Sequence, residues 1–476
     1  MKKMLRIVSL CLMSLLMALP TAFAEDPAAV VAKIDTGDTG FVLMSAALVM
    51  LMTPGLALFY GGMVRTKNVL STLMQSFFIV GLISVQWVLW GYTIAFGPDI
   101  NHLVGSLSWL GLNGVGVEPN ADYAATIPHL AFMVFQGMFA VITPALISGA
   151  FAERMKFPAF LVFTLAWVTF VYDPVAHWVW GVGGWLREMG VLDFAGGTVV
   201  HIISGVSGLV IALMIGKRKD YGKKAIIPHN LPMVLIGGAL LWFGWFGFNA
   251  GSALGANGLA AIAFVTTNAS AAAATVSWVL VEWLYSGKPT VLGAVSGCVA
   301  GLVAITPGAG FVSPLSAIII GLAGGVICFF SVSVMKAKLG YDDALDAFGV
   351  HGVGGTFGAI ATGLFASKEI NPAGADGLFF GNPEQLLTQV IGVVASWAVA
   401  IIMTYALIKI ISVFMPIRST EDEENSGFDI AEHGEKAYAY QDLITDFTGG
   451  PAFMSVEAAN PEISNFKVAL AEGGKK

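Results

Sequence analysis

The sequence predicts an all-α polytopic membrane protein with eleven transmembrane helices, arranged as two inverted five-helix repeats and a final helix. Three observations carry this reading. Apolar residues dominate and charges are scarce. Apolar stretches of bilayer length recur eleven times, with basic loops falling on alternate sides. One Asp-to-His motif also occurs twice, in segments that run in opposite directions.

Of the 476 residues, 56% are hydrophobic and only 12% are charged. A soluble domain carries about 25% charged residues, so this chain folded in water would expose a large apolar surface. A bilayer removes that cost. The 57 glycines fit the same setting, because small residues let membrane helices approach closely. The three cysteines, Cys11, Cys298 and Cys328, form neither a disulfide framework nor a metal-ligand spacing. No nucleophile–base pair, phosphate loop or cofactor motif stands out, so an enzyme is not expected. Nothing suggests nucleic-acid binding.

At the start, Lys2, Lys3 and Arg6 precede a short apolar core at residues 7–19, followed by Ala22-Phe23-Ala24. This pattern reads as a secretory signal, residues 1–24, cleaved after Ala24. Its core is too short to span a bilayer. An uncleaved anchor is the other reading.

A hydrocarbon core needs about 20 apolar residues per helix. Segments of suitable length lie at about 39–61, 69–96, 128–150, 158–180, 194–216, 231–251, 259–284, 291–306, 313–335, 348–367 and 385–415. Loops after odd-numbered segments carry twelve basic residues, among them Arg65, Arg154, Lys217, Arg218, Lys288 and Lys336. Loops after even-numbered segments carry only Arg187 and Lys368. Short basic loops stay in the cytoplasm. The N-terminus is therefore expected outside, in agreement with a signal peptide, and the C-terminus inside. The membrane domain is expected over 25–416. A cytoplasmic tail follows over 417–476, opening with the acidic run Glu421-Asp422-Glu423-Glu424. The tail is a plausible docking element, although a charge run alone is more often solvated surface.

The repeat is local but specific. Asp193 precedes His201 by eight residues at the start of segment 5, and Asp343 precedes His351 by eight at the start of segment 10. Five spans separate them, so the two segments run in opposite directions. Two inverted halves with a binding path at their pseudo-symmetry axis are a common transporter plan.

Ionisable residues at membrane depth are costly and mark pathways. Burial disfavours the charged imidazole, so both histidines are expected neutral. A neutral ring donates one hydrogen bond and accepts one. Two adjacent rings can share a bond and still offer polar contacts in a narrow apolar pore. Such a lining is selective. A bare cation in hydrocarbon costs tens of kcal/mol. Neither a carbonyl filter nor a carboxylate ring is present to offset that cost for potassium. Ammonium avoids it, because it can shed its proton and cross as ammonia.

Several strings match a known family. They are Asp193 to His201 (DFAGGTVVH), Gly244 to Ser252 (GWFGFNAGS) and Phe348-Gly-Val-His351-Gly-Val. Leu58 to Gly62, Lys67-Asn68, Phe135 to Phe139, Lys288-Pro289 and Gly427 to Glu435 add to them. Over about residues 38–440 the chain resembles the ammonium transporter family (Amt/Mep/Rh), its bacterial and plant branch above all. The resemblance implies a homotrimer in the inner (plasma) membrane with one pore per subunit. It implies ammonium or ammonia as cargo, and a PII-type signalling protein as a partner at the cytoplasmic face. It implies an outer recruitment site of Phe139, Trp180 and Ser252 with Phe135 beside it, where aromatic faces attract a cation by about 0.5–2 kcal/mol. Phe139 and Phe248 are implied as a stacked gate below that site, with Tyr60 and Trp245 lining the pore beside His201 and His351. Asp193 and Asp343 are implied as structural support. No metal or cofactor is expected.

Taken singly, these residues also have plainer readings. Trp180 suits an interfacial belt, Phe135 and Phe139 suit helix packing, Ser252 suits a helix end, and Asp193 is a favoured N-cap. Two other functions remain open at this point: an ammonium sensor reporting through its tail, and a channel for a neutral gas or water.

Overall fold

A computed structural model describes residues 33–438. The signal at residues 1–24, Cys11 and the tail beyond 438 lie outside the described residues. Ten helices in the described chain are long and apolar enough to cross a membrane, and a shorter apolar helix joins them. In order they are α1 (Thr36–Met63), α2 (Thr66–Phe96), α3 (His129–Phe151), α4 (Phe157–Glu188) and α5 (Gly197–Ile215). Then come α6 (Leu231–Gly251), α7 (Gly258–Ser286), α8 (Val291–Ile305), α9 (Pro314–Leu339), α10 (Phe348–Phe365) and α11 (Pro383–Phe414). All eleven expected segments are helices, including the short eighth.

The starts follow from local side chains. Asp35 begins α1 by accepting from the Asp38 N–H at 2.9 Å. Asn230, Asn257, Thr290 and Ser313 cap α6, α7, α8 and α9 in the same way. Each satisfies an amide that the helix leaves free. Cys298 and Cys328 are buried free thiols.

The packing repeats across the two halves. α1 lies along α6, α3 packs on α5, and α8 packs on α10. Four of the five π-helical turns among the described residues repeat too, the exception being Trp87–Gly91 in α2. π-helical turns interrupt α4 at Val168–Tyr172 and α9 at Ser331–Met335. They also open α5 at Gly197–Ile202 and α10 at Phe348–Gly352. Such turns are rare and recur at functional sites. Their presence in helices 4 and 9, and again in 5 and 10, gives the inverted repeat a structural counterpart to the Asp-to-His motif.

The side carrying the basic loops, inner by the charge rule, is held by a buried ionic network. Glu153 pairs with Arg65 at 2.8 Å and with Arg218 at 3.4 Å. Asp342 pairs with Arg218 at 2.7 Å and Arg154 at 3.6 Å. These bridges tie together the loops that follow α1, α3, α5 and α9. Burial pushes the Glu153 carboxyl up, but Arg65 and Arg218 outweigh it and hold it below the usual range.

The tail joins this network, although Glu421 and Asp422 stay exposed. The Lys156 N–H donates to the Ile417 carbonyl, and the Ser419 N–H to that of Arg154, both at 2.9 Å. Glu423 pairs with Lys156 at 2.7 Å, and the buried Glu424 pairs with Arg418 at 2.6 Å. Two short helices follow, α12 (Glu421–Ser426) and α13 (Phe428–His433). Asp429 on α13 accepts from the Ser71 N–H at 2.9 Å, capping the start of α2 from outside, and the Phe428 N–H donates to Asn68 Oδ1 at 2.9 Å. Asp429→Ala is therefore expected to cost about 1 kcal/mol, as loss of a cap does, and to loosen residues 417–438. Limited proteolysis checks this: faster cleavage within that stretch is expected, and unchanged protection contradicts it.

Candidate functional site

Asp193 sets the start of α5, on the side opposite the basic loops. Gly196, at φ +118°, turns the chain so that successive amides converge on the Asp193 carboxylate. The N–H groups of Gly196, Gly197, Thr198 and Val199 donate to it at 2.8, 2.6, 2.8 and 3.2 Å, and the Thr198 hydroxyl donates as well. Five donors fill its acceptor sites, so the carboxylate serves as a cap. The Asp193 carbonyl receives the Trp180 indole N–H at 2.9 Å, which fixes that ring. Asp343 repeats the cap at α10, accepting from the N–H groups of Ala347 at 3.1 Å and Phe348 at 2.7 Å. Beside it, Asp346 pairs with Lys336.

The two π-helical turns bring the histidines together. His201 Nδ1 lies 3.3 Å from His351 Nδ1, with ring centroids 5.3 Å apart and planes 22° from parallel. One Nδ1 must carry the proton and the other accept it. Nε2 of His201 is buried and has no partner among the described residues. Both rings line a narrow cavity of about 10 Å³ with Leu56, Phe59, Leu241, Trp245 and Phe248. That volume is at the lower limit for one water. Trp245 stacks on His201 at 5.4 Å, and its N–H is taken by Thr306 Oγ1 at 2.9 Å. It therefore offers the cavity a ring face and no donor. Tyr60 is not on the wall of this cavity. Its hydroxyl donates to the Leu146 carbonyl at 3.1 Å, and the neighbouring Phe59 takes the wall instead.

A second cavity, about 200 Å³, opens on the side opposite the basic loops and is lined by Phe139, Trp180, Ser252, Gln136, Tyr123 and Arg187 among others. Ser252 Oγ donates to the Phe248 carbonyl at 2.9 Å, so its free lone pairs can accept from a guest. Phe135 is absent from this wall. It is buried behind Phe139, edge-on at 5.0 Å, and acts as backing. Burial pushes the Tyr123 phenol up to about 12, against the Val182 N–H bond and the charge of Arg187.

Phe139 and Phe248 stand between the two cavities. Their centroids are 4.2 Å apart and their planes 31° from parallel. Phe139 belongs to the outer wall and Phe248 to the histidine cavity. The rings form a partition, with Trp180 edge-on to Phe139 at 5.9 Å.

Sequence reasoning missed Gln136, Phe59, Thr306 and the placement of Arg187. For Arg187 a signal existed: it is one of only two basic residues in the outer loops.

An aromatic mouth, a paired-ring partition and a tight, histidine-lined interior between inverted repeats fit a membrane transport protein. Comparison with known proteins gives the cargo. The chain belongs to the Ammonium Transporter Family, whose model matches residues 40–438. It is 60% identical over 402 residues to an ammonium transporter of Bacillus subtilis, spanning 84% of this chain and 98% of that one. The crystal structure of Candida albicans Mep2 superposes with a TM-score of 0.78 at 37% identity, covering 86% of this chain and 92% of that one. A sensor Amt protein superposes with a TM-score of 0.77 at 30% identity, covering 83% and 98%. The protein is an ammonium transporter that crosses the membrane many times.

Proposed function

We propose that ammonium is captured in the outer cavity, loses its proton at the Phe139–Phe248 partition, and passes inward as ammonia along His201 and His351. The proton is either left outside or routed separately. One observation carries the reading: a stacked ring pair divides a roomy cavity with polar groups from one too small for more than a single water. Outside, the Trp180 and Phe139 faces and the Ser252 lone pairs suit a small cation. Inside, a bare ion would find no compensating charge, whereas ammonia can accept from one imidazole and donate to the other.

The wider setting follows from the same reading. The signal is removed, the N-terminus lies outside the inner membrane, and three chains assemble with one path each. The docked tail supports a regulatory role at the inner face, where a PII-type protein would bind. The likeness to a sensor Amt protein supports that coupling of tail and signal.

Flux into vesicles holding the purified protein tests the proposal. Ammonium uptake is expected under an ammonium gradient, with no current under a potassium gradient; potassium conduction would overturn the dry-path reading. Ser252→Leu removes one acceptor, worth about 0.5–1.5 kcal/mol. It should raise the half-saturating ammonium concentration about two- to tenfold, and an unchanged value would count against the outer site.

A further inference from the structure

Arg187 places a full positive charge on the wall of the cavity assigned to cation capture, and nothing in the transport chemistry uses it. We infer that Arg187 is a specificity-determining residue of the outer site, whose fixed charge weakens capture of ammonium and weakens capture of divalent cations far more. The inference rests on the reading of the outer cavity as the recruitment site.

Three observations support it. The guanidinium is held in place, because Nη1 donates to the Trp180 carbonyl at 2.6 Å, and the Trp180 ring is fixed in turn by Asp193. The charge is also not neutralised: among the described residues no carboxylate lies within ion-pair distance of Arg187. The neighbouring Glu188 turns instead to His102, at 3.5 Å. The charge also shares one cavity wall with Trp180 and Ser252, so a guest there lies about a Debye length away, about 8 Å at physiological ionic strength, and salt cannot fully screen the charge from it.

Coulomb energy scales with the charge of the guest. A separation of about 8 Å with an effective dielectric between that of water and half of it weakens a monovalent cation about two- to sixfold. A divalent cation is weakened by the square of that factor. Arg187 thus gives up some affinity for ammonium and in return keeps abundant divalent ions from blocking an aromatic cage that attracts any cation.

The test uses the full-length protein in vesicles, with ammonium uptake measured for Arg187→Lys, Arg187→Gln and Arg187→Glu at about 0.01 M and about 1 M sodium chloride, where the Debye length falls from about 30 to about 3 Å. At low salt the half-saturating concentration should stay near the parent value in Arg187→Lys. It should fall about two- to sixfold in Arg187→Gln and further in Arg187→Glu, and the series should converge at high salt. Block by magnesium should appear in the Gln and Glu variants only. Should Arg187→Gln fail to assemble, Arg187→Met carries the same comparison. A purely structural role would produce losses that ignore charge order and salt, and that outcome overturns the inference. Ser252→Leu is run alongside. If it shifts half-saturation and the Arg187 series does not, the Arg187 inference fails alone; if neither shifts, the outer-site reading fails with it.

Discussion

Replacing His201 and His351 together by leucine is expected to reduce ammonium conduction by about fivefold or more while the protein stays folded. Leucine keeps the pore filled and dry, so the change removes hydrogen bonding without opening a wide cavity. Ammonia in the 10 Å³ histidine cavity then has no polar partner, which costs about 1–3 kcal/mol at the barrier, and each 1.4 kcal/mol is a factor of ten. The stability order follows from the 3.3 Å contact between the two Nδ1 atoms. His201→Leu alone orphans Nδ1 of His351 in an apolar site. The double variant removes both partners and can be nearly neutral. Thermal unfolding in detergent should therefore place the double variant at or above the single one. Uptake by a folded double variant at the parent rate would remove the histidines from the transport path.

Much of this was legible in the sequence, and the parts that were not share a cause. Hydropathy marks helices because lipid demands apolar runs of bilayer length, so even the short α8 at Val291–Ile305 was visible. The Asp-to-His spacing was legible because a cap and a pore residue both sit at fixed distances from a helix start. Side-chain direction was not. Tyr60 and Phe59 are adjacent, and which of them meets the cavity depends on the rotation of α1 against α6, which hydropathy does not register. The acidic run at Glu421–Glu424 reads as solvated surface, which holds for Glu421 and Asp422, but Glu423 and Glu424 meet Lys156 and Arg418, far away in the chain or across a turn. Arg187 was counted as an outer-loop charge, but its role depends on a bend that carries it back over Trp180.

Gly205→Ala is expected to abolish most conduction although it touches neither cavity. Gly205 lies four residues after His201, and a Cβ there would run into the backbone N and Cα of Gly352, next to His351. Backbone cannot step aside as a flexible side chain can, so α5 and α10 must separate. Overpacking of this kind costs about 1–3 kcal/mol. The geometric effect is larger than the energetic one, because the histidine contact at 3.3 Å is already near the limit for a hydrogen bond. A few tenths of an ångström break it. Gly355, four residues after His351, is the counterpart: a Cβ there would sit 2.9 Å from His201 Cβ and displace that ring directly. Gly81 on α2 is the control, since a Cβ there meets nothing within 4 Å. Gly81→Ala should be neutral, or more stable by up to about 1 kcal/mol from helix propensity. Uptake and unfolding midpoints of the three variants, measured side by side, separate a helix-contact effect from a general cost of losing glycine. Conduction should fall with Gly205→Ala and Gly355→Ala and hold with Gly81→Ala. If Gly205→Ala conducts like the parent, close contact of α5 and α10 is not what keeps the two imidazoles in register.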